Sequence, residues 1–231
     1  MNVGIQVIAR MHSDFPTKFG IPRQSGLVSQ LRSTIVFEPE FRNPDALRGI
    51  EDFSHLWIVW QFSEAVRQGW SPTVRPPRLG GNTRMGVFAT RSPFRPNNLG
   101  LSSVRLLGVE CTEKFGTVLH VGGADLMDGT PIFDIKPYIP YSDCHPDATG
   151  GFTDKAGEFL LQVDFPSELL NLLPPEKREA ALGVLSHDPR PSYQRSPDRV
   201  YGLTFAGFDI RFTVKDEVLT VHEVCSAPRL P

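Results

Sequence analysis

Proline and glycine interrupt this chain too often for long uninterrupted elements. There are 21 prolines and 20 glycines, spread along the 231 residues and not gathered into one tract. Proline fixes φ and removes a backbone donor, and glycine supplies the conformations that turns need. Many turns between short elements point to a β-rich chain over a helical bundle. Hydrophobic residues make up 40% of the sequence, with Phe at 16, so a substantial core is available. The length fits one large domain, or one domain with a smaller companion.

Short apolar or alternating runs at residues 3–9, 34–38, 55–62, 85–90, 102–110, 118–122, 132–136 and 159–163 read as strands. No crossover helices separate them, which argues for an antiparallel barrel or sandwich and against βαβ units. The run HLWIVWQF at 55–62 is continuously apolar and predicts a strand buried on both faces. Asn43 and Pro44 predict a single capped helical turn over 44–49. Composition turns polar near 146–157, which places a boundary between a domain at 1–147 and a second at 156–231. Beyond it, 167–173 and 175–187 carry helical spacing. Segments 201–204 and 208–214 read as a hairpin through Ala206-Gly207, with 219–224 as a third strand. The expectation is a mainly β protein with a small α+β C-terminal domain.

Several chemistries lack their motifs. The sequence has no phosphate loop of the G-x-x-x-x-G-K-[ST] type, no G-x-G-x-x-G and no G-x-S-x-G elbow. The three cysteines, Cys111, Cys144 and Cys225, form no CxxC pair, and the histidines have no ligand spacing. They imply reduced thiols, no metal and a cytoplasmic location. Neither a signal peptide nor a membrane span is visible.

Charge is segregated. Between Glu64 and Glu110 stand Arg67, Arg75, Arg78, Arg84, Arg91, Arg95 and Arg105, with no lysine and no acidic residue. The whole chain carries 24 basic and 26 acidic residues, so the remainder is acidic. A local positive field suits a polyanion, and guanidinium groups suit phosphate and bases. The alternative is that these arginines brace loops through carbonyl oxygens. Within the segment, Thr90–Gly100 (TRSPFRPNNLG) leaves a strand into a stiff turn, where Arg91 and Arg95 would be held for recognition. Residues 124–131 (ADLMDGTP) also end a strand. There Asp125 or Asp128 could bind a ribose, a cation or a proton, or could simply tie the turn's N–H groups.

The runs MGVFATRSPFRPNNLGLS (85–102), DLMDGTPIFDIKPY (125–138), FSHLWI (53–58) and PRQ (22–24) resemble the TsaA-like family, within it the bacterial tRNA N6-adenosine methyltransferase branch. The likeness extends to Asp188-Pro189-Arg190-Pro191-Ser192-Tyr193. The resemblance implies a single-sheet antiparallel β-barrel N-terminal domain, a homodimer and a pocket for S-adenosylmethionine (SAM). It implies cofactor contacts from Pro22, Arg23, Gln24, Phe62, Ser63, Arg91, Leu101, Asp125, Leu126, Met127 and Asp128. Relatives often carry His where Ser63 stands. The implied reaction is methylation of N6 of the threonylcarbamoylated adenosine 3′ of the anticodon, with Asp128 as the candidate to take the proton. Arg75, Arg78, Arg84, Arg95, Arg190 and Tyr193 are then the candidates for the tRNA anticodon stem-loop. Two rival readings are a SAM-binding barrel that methylates a small molecule or protein, and a non-catalytic RNA-binding module.

Overall fold

The computed structural model describes residues 4–66, 69–76, 79, 82–154, 159–191, 196 and 198–228. Six strands form the first sheet: β1 (Ala9–His12), β2 (Arg32–Phe37), β3 (His55–Gln61), β6 (Leu99–Thr112), β7 (Gly116–Gly122) and β8 (Pro131–Pro137). A separate two-stranded pair, β4 (Thr73–Val74) with β5 (Met85–Gly86), lies in the arginine-rich segment. All pairings in the large sheet are antiparallel, and its order β1-β2-β7-β6-β3-β8 returns to β1, giving a closed barrel. Closure satisfies both edges of every strand. Met11, Ile35, Leu56, Ile58, Leu119 and Ile132 fill the interior without solvent exposure.

The strand at 55–62 differs from its expected form. Leu56, Ile58 and Trp60 are buried, and the residues between them are only half covered. One face looks into the barrel, so burial alternates despite the continuous apolar run. Trp57 on the outer face is met by α1 (Pro140–Asp143), whose Asp143 Oδ2 accepts its indole N–H at 3.0 Å. The 85–90 strand stops at Gly86, because Val87–Ala89 turns as a 3-10 helix and Thr90 Oγ1 donates to Val87 O. The first strand begins at Ala9, while Ile8 N already donates to Ile132 O at 2.8 Å. The capped turn forms as a 3-10 helix, Pro44–Leu47, with Asn43 accepting from Asp45 N.

The second sheet has the order β10 (Tyr201–Phe205), β11 (Phe208–Lys215), β12 (Val218–Ser226) and β9 (Gln162–Asp164). Ala206 and Gly207 both take positive φ, at 51° and 82°, as a two-residue hairpin turn requires. The strand expected over 159–163 is shifted to β9, which pairs parallel to β12. Helices α2 (Ser167–Leu170) and α3 (Pro175–Ser186) accompany this sheet, and α3 buries Ala180, Ala181, Val184 and Leu185. The second core also recruits Phe15, Val28 and Leu31 from the segment between β1 and β2. Phe15 meets Phe205 with ring centroids 5.3 Å apart.

Candidate active site

The loop after β7 carries Asp125 to one end of the barrel. Ala124 and Leu126 are buried on either side of it. Gly123, with φ 72°, brings the loop backbone against Gly26, whose N–H donates to Gly123 O at 2.8 Å. A side chain at Gly123 would meet Gly26 Cα at 3.2 Å, so the two loops are seated backbone to backbone. The Pro22-Arg23-Gln24 segment and the Asp125–Asp128 segment are therefore neighbours.

Asp125 Oδ1 accepts from Ser102 Oγ at 2.6 Å, and Ser102 Oγ accepts from Trp60 Nε1 at 3.0 Å. The chain Trp60–Ser102–Asp125 exists because Ser102 and Gly100 face inward from β6 beside Trp60 of β3. Trp60 lies over Gly100, where a Cβ would fall 2.3 Å from Trp60 Cε2. Phe62 stacks obliquely on Trp60, with centroids 4.2 Å apart. Burial pushes the Asp125 carboxyl above its ordinary value; Ser102, backbone N–H groups including that of Ser25, and the charge of Arg91 oppose the rise.

Arg91 donates to Gln24 Oε1, and Gln24 Nε2 donates to the Arg23 carbonyl. Gln24, Arg91 and Asp125 thus converge, joined by Ser102, Ser25 and Trp60, which sequence reasoning did not select. The signal for Ser102 and Trp60 was the strand register, in which Trp60 opposes a glycine two residues before an inward serine. Leu101 is exposed on the outer face of the same strand, and Pro22 is buried. Ser63 opens a short 3-10 turn, Ser63–Ala65, after Phe62 N binds Asn98 O.

Asp128 has a different neighbourhood. Its Oδ1 accepts from Ser13 N at 3.0 Å and lies 3.5 Å from His12 Nδ1. Its own N–H donates to Phe15 O, and Leu126 O accepts from Ser13 Oγ. The Met127 carbonyl accepts from Thr130 Oγ1. These bonds tie the Asp128 turn to the Ser13–Phe15 backbone. The carboxylate borders a polar cleft on the outer barrel wall, lined also by Asp14, Arg32, His120 and Lys177.

Two of the expected RNA contacts are engaged elsewhere. Arg95 Nη1 donates to Thr90 O at 2.7 Å and Val87 O at 3.2 Å, so it braces its own loop. Arg190 grips Asp188 with two bonds, Nε to Oδ1 at 2.8 Å and Nη2 to Oδ2 at 3.0 Å. That pair holds the guanidinium in a two-bond grip, and Arg190 is largely covered. Arg75 and Arg84 are exposed beside β4 and β5. Arg78 and Tyr193 lie outside the described residues. Among the described residues, no cluster of His, Cys, Asp or Glu could hold a metal, and no helix is long and apolar enough to cross a membrane.

Residues 10–144 match the family described as tRNA-methyltransferase O N-terminal domain, and residues 158–227 match its C-terminal domain. The chain belongs to the tRNA-methyltransferase O family. A tRNA (adenine(37)-N6)-methyltransferase of Escherichia coli (strain K12) is 43% identical over 217 residues, covering 90% of this chain and 92% of its own. One of the same name from Eikenella corrodens is 46% identical, covering 74% of this chain and 97% of its own. A crystal structure of TrmO from Pseudomonas aeruginosa aligns with a TM-score of 0.76 at 32% identity, covering 98% of this chain and 100% of that one. Another Pseudomonas aeruginosa relative, 40% identical, bears a name placing it among S-adenosylmethionine-dependent methyltransferases.

Proposed function

We propose that this protein is a SAM-dependent tRNA methyltransferase that adds a methyl group to N6 of the adenosine 3′ of the anticodon. The observation that carries this reading is the match to tRNA (adenine(37)-N6)-methyltransferases along nearly the whole chain, through both family regions. The site suits the cofactor chemically. SAM is a sulfonium cation with a zwitterionic amino-acid end, and the loops present a buried carboxylate, an arginine and a carboxamide side by side. Asp125 would hold a cationic or hydroxyl group, and Arg91 with Gln24 a carboxylate. Phe62 and the backbone of Leu101, Leu126 and Met127 would bound the adenosine side, with Ser63 contributing backbone contacts where relatives often carry His.

SAM supplies an activated methyl group when bound, so the hard chemistry resides in the cofactor. The protein's part is to align N6 with the methyl group, to exclude water and to let the N6 proton leave as the N–C bond forms. Asp125, a buried carboxylate beside Arg91 and Gln24, is the group we place against the cofactor, whereas the Asp128 carboxylate is tied to Ser13 N.

The threonylcarbamoylated adenosine, the homodimer, the cytoplasmic location and the division into domains at 1–147 and 156–231 belong to the same proposal. Two cores support the division, although residues 15–31 of the first part contribute to the second core. Labelled methyl transfer to tRNA that carries or lacks threonylcarbamoyl adenosine tests the reading. Label in the modified pool alone supports enzyme and substrate together. Label in both supports adenosine N6 without that modification, and label in neither refutes the reading.

A further inference from the structure

The acid-free segment holds more than arginines. Trp70 and Phe88 are both exposed, at 54% and 70%, and their ring centroids lie 6.1 Å apart at 35°. Rings of this size are usually covered, so a tilted pair left this exposed marks a contact surface. The platform is stiffened from behind. Arg95 places its guanidinium 5.7 Å from the Phe88 centroid while donating to the Val87 and Thr90 carbonyls that frame that ring. Val87 is buried beneath the turn, and its N–H binds Pro72 O, so both aromatic positions hang on one hydrogen-bonded frame. Arg75 and Arg84 flank β4 and β5 in the same segment and are exposed.

We infer that Trp70 and Phe88 form a stacking platform for unpaired bases of the RNA substrate, with Arg75 and Arg84 as its phosphate contacts. The inference rests on the tRNA-directed reading above and names the part of the protein that grips the loop. Charge complementarity selects this occupant. A second copy of the acidic remainder could pair with the arginines, but it would leave two splayed rings to be filled by a shape-matched apolar face. Single-stranded RNA supplies both flat π-faces and phosphates at the spacing of successive nucleotides. The aromatic contribution does not release counterions, whereas each arginine on a phosphate does.

The test uses the full chain, a synthetic anticodon stem-loop RNA as probe, and binding measured across a salt series. Trp70→Ala and Phe88→Ala should each weaken RNA binding roughly 10- to 100-fold, with the slope against log salt unchanged. Trp70→Phe should recover most of that loss. Arg75→Ala and Arg84→Ala should each reduce the slope by about 1. SAM affinity, by calorimetry, and the sedimentation coefficient should stay at the parent values in all these variants. Unchanged RNA affinity in Trp70→Ala and Phe88→Ala, with methyl transfer intact, overturns the platform and leaves the proposed function standing. A shift to a smaller sedimenting species with RNA affinity retained assigns the surface to a second copy and also overturns it. Absence of RNA binding in the parent protein refutes the tRNA reading itself.

Discussion

Gly100→Ala tests whether the Trp60–Ser102–Asp125 chain positions the cofactor site. A methyl group at Gly100 would sit 2.3, 2.5 and 2.7 Å from Trp60 Cε2, Cζ2 and Cδ2. These are rigid indole atoms inside a closed barrel, so the ring must shift as a body. Overpacking of this kind costs about 1–3 kcal/mol. Moving the indole also breaks its 3.0 Å bond to Ser102 Oγ, worth about 1 kcal/mol. The expected loss is about 2–4 kcal/mol, or about 4–16 °C in Tm for a chain of this size. Ser102 would lose its orienting donor, and its 2.6 Å bond to Asp125 would loosen. SAM affinity should therefore fall further than the stability loss explains at a temperature where the variant is folded. Differential scanning calorimetry and titration calorimetry read the two quantities. Ser102→Ala removes the bridge without a clash, and in the double variant the effects on SAM affinity should overlap instead of adding. Parent-like Tm in Gly100→Ala would refute the packing argument. Parent-like SAM affinity in a destabilised Gly100→Ala would refute the link from the barrel interior to the cofactor.

Asp125→Asn should weaken SAM binding while removing a pH dependence. The folded-state pKa of Asp125 is raised above 3.8, so just above that value the native state binds more protons than the unfolded chain. Stability then falls as pH rises through the interval up to the raised pKa, and the burial cost is fully present above it. The difference in Tm between Asp125→Asn and parent should grow in favour of the variant over that interval, and parallel Tm profiles would refute this account. Arg95→Ala should lower SAM affinity through the loop that carries Arg91, with the salt slope of RNA binding unchanged. A slope reduced by about 1 would instead make Arg95 a phosphate contact. Phe205→Ala should cost about 3–5 kcal/mol in the second core and also reduce SAM affinity, because its partner Phe15 anchors the loop of Gln24. SAM affinity intact in folded Phe205→Ala would separate that core from the site.

Much of the architecture was legible because turn chemistry and strand chemistry are local. Ala206-Gly207 marked the hairpin, and Asn43-Pro44 marked the capped turn. Alternation in β3 was hidden because residues on the outer face of a barrel strand are also apolar when a helix such as α1 covers them. The Pro22-Arg23-Gln24 and Asp125 segments were identified by resemblance, and the fold shows them seated backbone to backbone. Ser102, Trp60 and Ser25 stayed out of view because their roles depend on pairing register and on contacts between distant loops. The count of arginines carried charge but not geometry. Arg95 and Arg190 look like their exposed neighbours in sequence, yet their guanidinium groups are spent on carbonyl oxygens and on Asp188.

The placement of the segment between β1 and β2 shows what the second sheet does for the barrel in this chain. Gln24 and Ser25 lie in a stretch with no strand or helix of its own, between Phe15 and Leu31. A free loop of that length would hold Gln24 in many positions and lose affinity to ordering. Here Phe15, Val28 and Leu31 are sunk in the second core, and Gly183 of α3 leaves room for Val28, where a Cβ would meet Val28 Cγ1 at 2.7 Å. Gly20 is pressed against Leu203 of β10 and Pro189, and His187 Nε2 sits 3.2 Å from Leu27 O. On the other side, Gly26 and Leu31 are bonded to Gly123 at the barrel end. The loop is thus clamped from both cores, and Gln24 and Ser25, which we propose face the cofactor, occupy the span between the clamps. Changes in the second sheet should consequently be felt at Arg91 and Asp125 through Gln24 and Ser25.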